Sequence, residues 1–89
     1  MKNTRKKITI VQSAIKYKNK IYTGYRHALI IEKMWQEEKI GINDIKQRSQ
    51  GFITSDGRFV DRIEAANIAF KAGQIGSGIN SLDSYHIFL

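Results

Sequence analysis

Gln50-Gly51-Phe52-Ile53-Thr54-Ser55-Asp56-Gly57-Arg58-Phe59-Val60-Asp61-Arg62-Ile63-Glu64-Ala65-Ala66 reads as a strand, a tight turn, a short strand and a helix in immediate succession. Ser55-Asp56-Gly57 separates two β-prone runs, and Gly57 supplies the positive φ that a tight reversal needs at little steric cost. Asp61 starts the helix. Its carboxylate can accept the amide of Glu64, Glu64 can reach back to the Asp61 amide, and Val60 with Ala65 stands where a hydrophobic staple lies. The helix end is written in Lys71-Ala72-Gly73: a cation meets the negative end of the dipole and a glycine takes the left-handed position beyond it.

Arg58 and Arg62 flank that helix start, where backbone amides and the positive dipole end favour an anion, and no neighbouring acid in the sequence is placed to claim both. Phe52 and Phe59 add an apolar wall beside them. Such a set suits a nucleotide, with guanidinium groups for phosphate, rings for a base and amides for the remaining oxygens. The same residues have a plainer reading. Paired phenylalanines in a hairpin are usually core, and arginines near a helix start are often only solvated.

Upstream, residues 8–17 are rich in β-branched side chains, with Val11, Ile15 and Tyr17 on one face and Ile8, Ile10 and Ala14 on the other, which predicts a strand covered on both sides. Lys18-Asn19-Lys20 reverses the chain, Asn19 tolerating the left-handed region, into a second strand over residues 21–23 that ends at Gly24. Helical spacing over residues 25–39 sets Ala28, Ile31, Met34 and Trp35 on one face, widened by Leu29 and Ile30. Lys39-Ile40-Gly41-Ile42 closes that helix, with Gly41 as the stop and Ile42 folding back on the last turn. Residues 43–50 form a polar connection anchored by Ile45. Gly73, Gly76 and Gly78 with Ser77 read as a linker, because this Gly-Ser-Gly neither follows a strand nor opens a helix. The apolar tail, residues 82–89, is expected to add a strand to the sheet or to pack on a neighbouring subunit. The predicted class is therefore α+β: a small antiparallel sheet packed against two helices in a single domain spanning residues 1–89, with residues 1–7 a disordered basic arm.

A chain of 89 residues buries only about 60 to 65 per cent of its unfolded surface, so its core is marginal and self-association would relieve it. The absence of cysteine removes disulfides and thiolate metal sites, and no apolar run approaches the roughly 20 residues of a membrane span, so a soluble protein without a secretion signal is expected. Charge is uneven: eight basic residues and no acid precede Glu32, whereas the chain from Glu32 onward holds seven basic and eight acidic residues, giving the formal net charge of +7. A basic third of a chain attracts anions generally, from DNA to small phosphates.

Catalysis finds little support. His27 and His86 are the only histidines, neither lies in a nucleophile motif, and no HExxH or acidic cluster offers ligands to a metal. A binding protein that performs no chemistry and needs no cofactor is the expectation.

Gly24-Tyr25-Arg26-His27 at a helix start, then the motif from Gln50 to Arg62, then an alanine-rich helix ending Ala72-Gly73-Gln74-Ile75, resembles the phage proteins of the Thoeris anti-defence sponge family, first type. The resemblance implies a small homo-oligomeric protein of the host cytoplasm that sequesters cyclic ADP-ribose isomers, and in some members cyclic di- or trinucleotides, without degrading them. On the matching positions it implies a ligand site drawn from Arg26, His27, Phe52, Thr54, Arg58, Phe59, Asp61 and Arg62, joined by Asp83 from the tail. This sequence departs from the pattern at Ile63, where an acid is common, at Ala28, and at Leu82-Asp83-Ser84-Tyr85 in place of an acidic C-terminal motif. The competing class is a small basic phage nucleic-acid-binding protein, which salt would separate from a sponge: a backbone tracker loses affinity steeply as salt rises, a closed pocket much less.

Overall fold

The strand, turn, strand and helix follow one another as the central motif predicts. In the computed structural model, which describes residues 7–88, β3 (Gln50–Thr54) and β4 (Phe59–Asp61) pair antiparallel and α2 (Arg62–Lys71) begins at once. Gly57 turns the hairpin at φ 87° and Gly73 lies beyond α2 at φ 76°. Asp61 caps the helix, accepting the Glu64 amide at 2.8 Å. Ala65, Ala66 and Ala69 are buried in one stripe, and their small side chains let the helix approach the sheet closely.

β1 (Ile10–Tyr17) and β2 (Lys20–Gly24) complete a four-stranded antiparallel sheet in the order β2-β1-β3-β4. The hairpin between them reverses through Lys18-Asn19 as expected, but Lys18, at φ 55°, and not Asn19, takes the left-handed conformation. The register between β1 and β3 slips between Ile10 and Gln12, so Val11 is an extra residue. That bulge shifts the parity of the strand. It places Ile10, Ser13 and Ile15 on the same face as their partners Thr54, Phe52 and Gln50. The expectation of a strand covered on both sides holds at Ala14 and Ile15, consecutive residues that are both fully buried, but not along the whole strand. The helices cover the face carrying Ile10, Ile15 and Phe52, whereas Val11 and Ile21 stay 45 and 46 % exposed.

α1 (His27–Glu38) lies on that covered face but is rotated from the expected setting. His27, Ile30 and Met34 are buried, while Leu29 and Trp35, counted above as core, are half exposed and Ala28 faces outward. Its stop also differs. Lys39 takes the left-handed conformation at φ 59°, and the amides of Lys39 and Ile40 return to the carbonyls of Trp35 and Met34. This early reversal buries Ile40 with Ile15, Ile30, Met34 and Ile45, and leaves Ile42 exposed. Burial of one isoleucine thus outweighs the cost of a left-handed lysine, about 1–2 kcal/mol. Two short 3-10 turns, Ile42–Asp44 and Gln47–Ser49, carry the chain to β3 around the buried Ile45.

A second cluster, Ile10, Phe52, Val60, Ala65, Ala66, Ala69 and Leu82, lies under α2. The tail belongs to it. Instead of adding a strand or leaving for a neighbour, the chain buries Leu82 completely, turns through α3 (Ser84–Ile87) and packs Ile87 and Phe88 on the same cluster. The glycine-rich stretch before it is more than a linker. The Gln74 amide accepts from Ile10 N–H at 2.8 Å and donates to the Ile10 carbonyl at 2.9 Å, and Ile75 and Ile79 pack inward. The expected basic arm lies outside the described residues except for Lys7, which is exposed.

Candidate functional site

The start of α1 and the C-terminal turn meet at His27. Gly24 lets the start of α1 lie close to β2, because a Cβ there would stand 2.9 Å from Ile30 Cγ1. His27 is 6 % exposed and lies edge-on to Phe52, with ring centroids 4.9 Å apart. Its Nε2 is 2.7 Å from the Gly51 carbonyl, and its Nδ1 is 2.6 Å from Ser84 Oγ. A carbonyl can only accept, so Nε2 carries the proton and Nδ1 of the neutral ring accepts from the Ser84 hydroxyl. Ser84 Oγ also accepts the His27 amide at 3.0 Å and lies 2.7 Å from Ser13 Oγ, which is 3.1 Å from the Tyr25 carbonyl. A buried serine-histidine pair therefore ties β1, α1 and α3 together. Ser13 and Ser84 lie 71 residues apart, so no local pattern announced their pairing.

Arg62, the first residue of α2, crosses under the same turn. It donates from one terminal nitrogen to the Leu82 carbonyl at 3.1 Å and to Asp83 Oδ1, and from the other to Gln50 Oε1 at 2.8 Å. Its Nε is buried and has no partner. Arg26, His27, Ala28, Arg62, Asp83, Ser84 and Tyr85 line a cavity of about 160 Å³. Arg62 also forms part of the wall of a second cavity of about 340 Å³, with Gln47, Arg48, Gln50, Asp61, Ile63 and Ser81.

Four of the nine sequence-predicted residues, Arg26, His27, Arg62 and Asp83, thus converge. Asp61 meets Arg62 in the second cavity, and the other four are placed elsewhere. Phe52 has no exposed surface and is core, so it offers no face for a base to stack on. Thr54 is buried at the hairpin, where its hydroxyl bonds Asp56. Arg58 stands at the exposed tip, paired with Asp56 at 3.0 Å and Glu64 at 3.7 Å. Thr54, and then Arg58, hold the Asp56 carboxyl below its usual range, so that partner stays ionised. No one acid claims both arginines, but neither stands unpaired: Arg58 is held by Asp56 and Glu64, and Arg62 by Asp83 from the tail. Phe59 and Asp61 line a shallow cleft with Lys16, Arg48 and Ile63. Gln50, which orients Arg62, and Ser84 were missed because what gives each its role is a partner elsewhere in the chain, Arg62 for Gln50 and His27 for Ser84.

Burial holds the His27 imidazole below its ordinary value of 6.5; the Gly51 carbonyl opposes this and the Arg62 guanidinium adds to it. An imidazole that protonates less readily when folded than when unfolded lends stability that is full above pH 6.5 and is lost as the pH falls toward its folded value. Urea denaturation between about pH 8 and about pH 5 should show stability declining on the acid side, and His27→Gln should flatten that decline. A variant with the slope of the parent would remove His27 from the account.

Among the described residues, no group of three His, Cys, Asp or Glu is placed to hold a metal ion, and no helix is long and apolar enough to cross a membrane. Comparison with curated proteins and with solved structures returned no match. Among protein families, the one described as Phage T4 y16D protein matches residues 9–88, which takes in both strand pairs, both long helices and the C-terminal turn. The chain belongs to the phage T4 y16D protein family.

Proposed function

We propose that this phage-family protein is an anti-defence sponge, which binds a cyclic nucleotide immune signal, a cyclic ADP-ribose isomer or a cyclic oligonucleotide, and holds it without turnover. The observation that carries the reading is Arg62: a guanidinium with a buried, unpartnered Nε beside a cavity that Arg26 and His27 also line. A buried donor without an acceptor is costly, and a phosphate oxygen is the acceptor that a guanidinium fork fits best. The resemblance in Arg26-His27 and in the motif through Arg62 supplies the ligand class.

Size supports a homo-oligomer. A cavity of about 160 Å³ is smaller than the roughly 300–1,000 Å³ of a pocket that encloses a whole small molecule. It suits one anionic group, and a second copy would close over the remainder. The sheet face away from the helices, with Ile21 exposed and Ile53 and Phe59 half-buried, is the surface that such an assembly has to spare.

The test is calorimetric titration with cyclic ADP-ribose isomers and cyclic dinucleotides, followed by native mass spectrometry for ligand recovered intact. Binding should weaken by about 2–5 kcal/mol in Arg62→Ala, mainly through faster release, and far less in Arg58→Ala, whose guanidinium serves its own hairpin. A parent protein that ignores these ligands and binds single-stranded DNA with a steep salt dependence would replace the sponge by the nucleic-acid reading.

A further inference from the structure

We infer that Asp83 is an internal stand-in for the ligand's phosphate: its carboxylate occupies Arg62 in the free protein, and an oxyanion entering the cavity beside Arg26 must displace it. This rests on the reading of that cavity as the ligand site. Arg62 retains 14 % of its side-chain exposure, against 41 % for Asp83. A guanidinium so far from water has to be supplied with acceptors by the chain itself whenever no ligand is present.

Those acceptors are an incomplete set. The Leu82 carbonyl and one Asp83 oxygen share one terminal nitrogen, Gln50 takes the other, and Nε has nothing. The five N–H groups of a guanidinium match two or three oxygens carried by one phosphorus, which a single carboxylate oxygen cannot replace.

Only one of the three acceptors can leave easily. Leu82 has no exposure and its amide donates to the Arg62 carbonyl at 3.0 Å, while Gln50 is 6 % exposed in β3. The backbone beneath Asp83 is equally fixed, its amide donating to His86 Nδ1 at 2.9 Å and its neighbour Ser84 held on His27. The half-exposed carboxylate can therefore rotate into water without moving the turn. Arg26, which has no ion pair among the described residues, supplies the second positive charge on the cavity wall.

A displaceable acid makes the site selective. An incoming group has to carry enough negative charge and enough oxygens to do better than Asp83, so phosphate and pyrophosphate moieties enter and uncharged nucleosides do not. The acid also lowers the apparent affinity for every ligand by the fraction of time it holds Arg62.

Titration calorimetry of the full chain, Asp83→Asn and Asp83→Ser with inorganic pyrophosphate and with cyclic ADP-ribose tests this, with circular dichroism as the folding control. Both substitutions retain a residue suited to a helix start. Each should bind pyrophosphate about tenfold tighter than the parent. In the parent, the Arg62 Nε–H resonance should shift as pyrophosphate is added. Equal or weaker binding by the folded variants overturns the inference, as does a silent Nε–H resonance, which also decides the matter if neither variant folds. Tighter pyrophosphate binding with no affinity for cyclic ADP-ribose upholds the displaced acid and counts against that ligand. Cyclic ADP-ribose bound equally by all three proteins keeps the sponge and removes the displaced acid.

Discussion

Gly51→Ala should cost about 3 kcal/mol or more, at the upper end for an added methyl group. A Cβ at this position would stand 2.0 Å from the Val60 carbonyl oxygen and 2.9 Å from Phe59 Cζ. The first contact is with backbone, which cannot rotate aside. β4 would have to move, taking Asp61 and the start of α2 with it, and Arg62 would leave its place beside Asp83. The Gly51 carbonyl that accepts from His27 would shift as well. Stability and ligand binding should therefore fall together. Urea denaturation measures the first, and a loss under about 1 kcal/mol would mean that the hairpin relaxes far more easily than its contacts imply.

Phe52→Ala is expected to lose about 3–5 kcal/mol, because the ring is fully buried, packs against His27 and leaves a cavity between both helices and the sheet when removed. A domain of this size has about twice that in total, so the variant should be partly unfolded near 37 °C. Phe59, half-buried on the open face over Gly51, should cost clearly less when truncated. The contrast decides what the phenylalanines do. A folded Phe52→Ala protein of near-parental stability that had lost only its ligand would restore Phe52 as a stacking residue.

The hairpin and α2 were legible because every signal in them is local: Gly57 at the turn, Asp61 at the cap, Gly73 at the stop. What escaped was decided at a distance. The extra residue at Val11 breaks the alternation on which a two-faced reading of β1 depended, and nothing in the run of β-branched residues marks where the break falls. α1 rolled toward Ile30 and Ile40 because the core offered room there, leaving Trp35 to lie against Gly41 and under Lys39. The site was legible in part for the same reason. Arg62 was visible as a residue at a helix start, and Arg26, His27 and Asp83 came in through the resemblance. Asp83 as the partner of Arg62 and Ser84 as the partner of His27 depend on a tail whose place in the sequence foretold nothing of where it folds, and Gln50 as a guide for Arg62 depends on how β3 meets the start of α2.

Gln74 carries one more consequence. By giving and receiving a hydrogen bond with the same residue of β1, its carboxamide imitates a single rung of a neighbouring strand. Ile10 then has no backbone group left to offer another chain. The protein is thereby protected at that point against templating by its own copies. In the oligomer proposed above, copies of the chain would meet across the open face of the sheet, and Ile10 gives them no rung to extend.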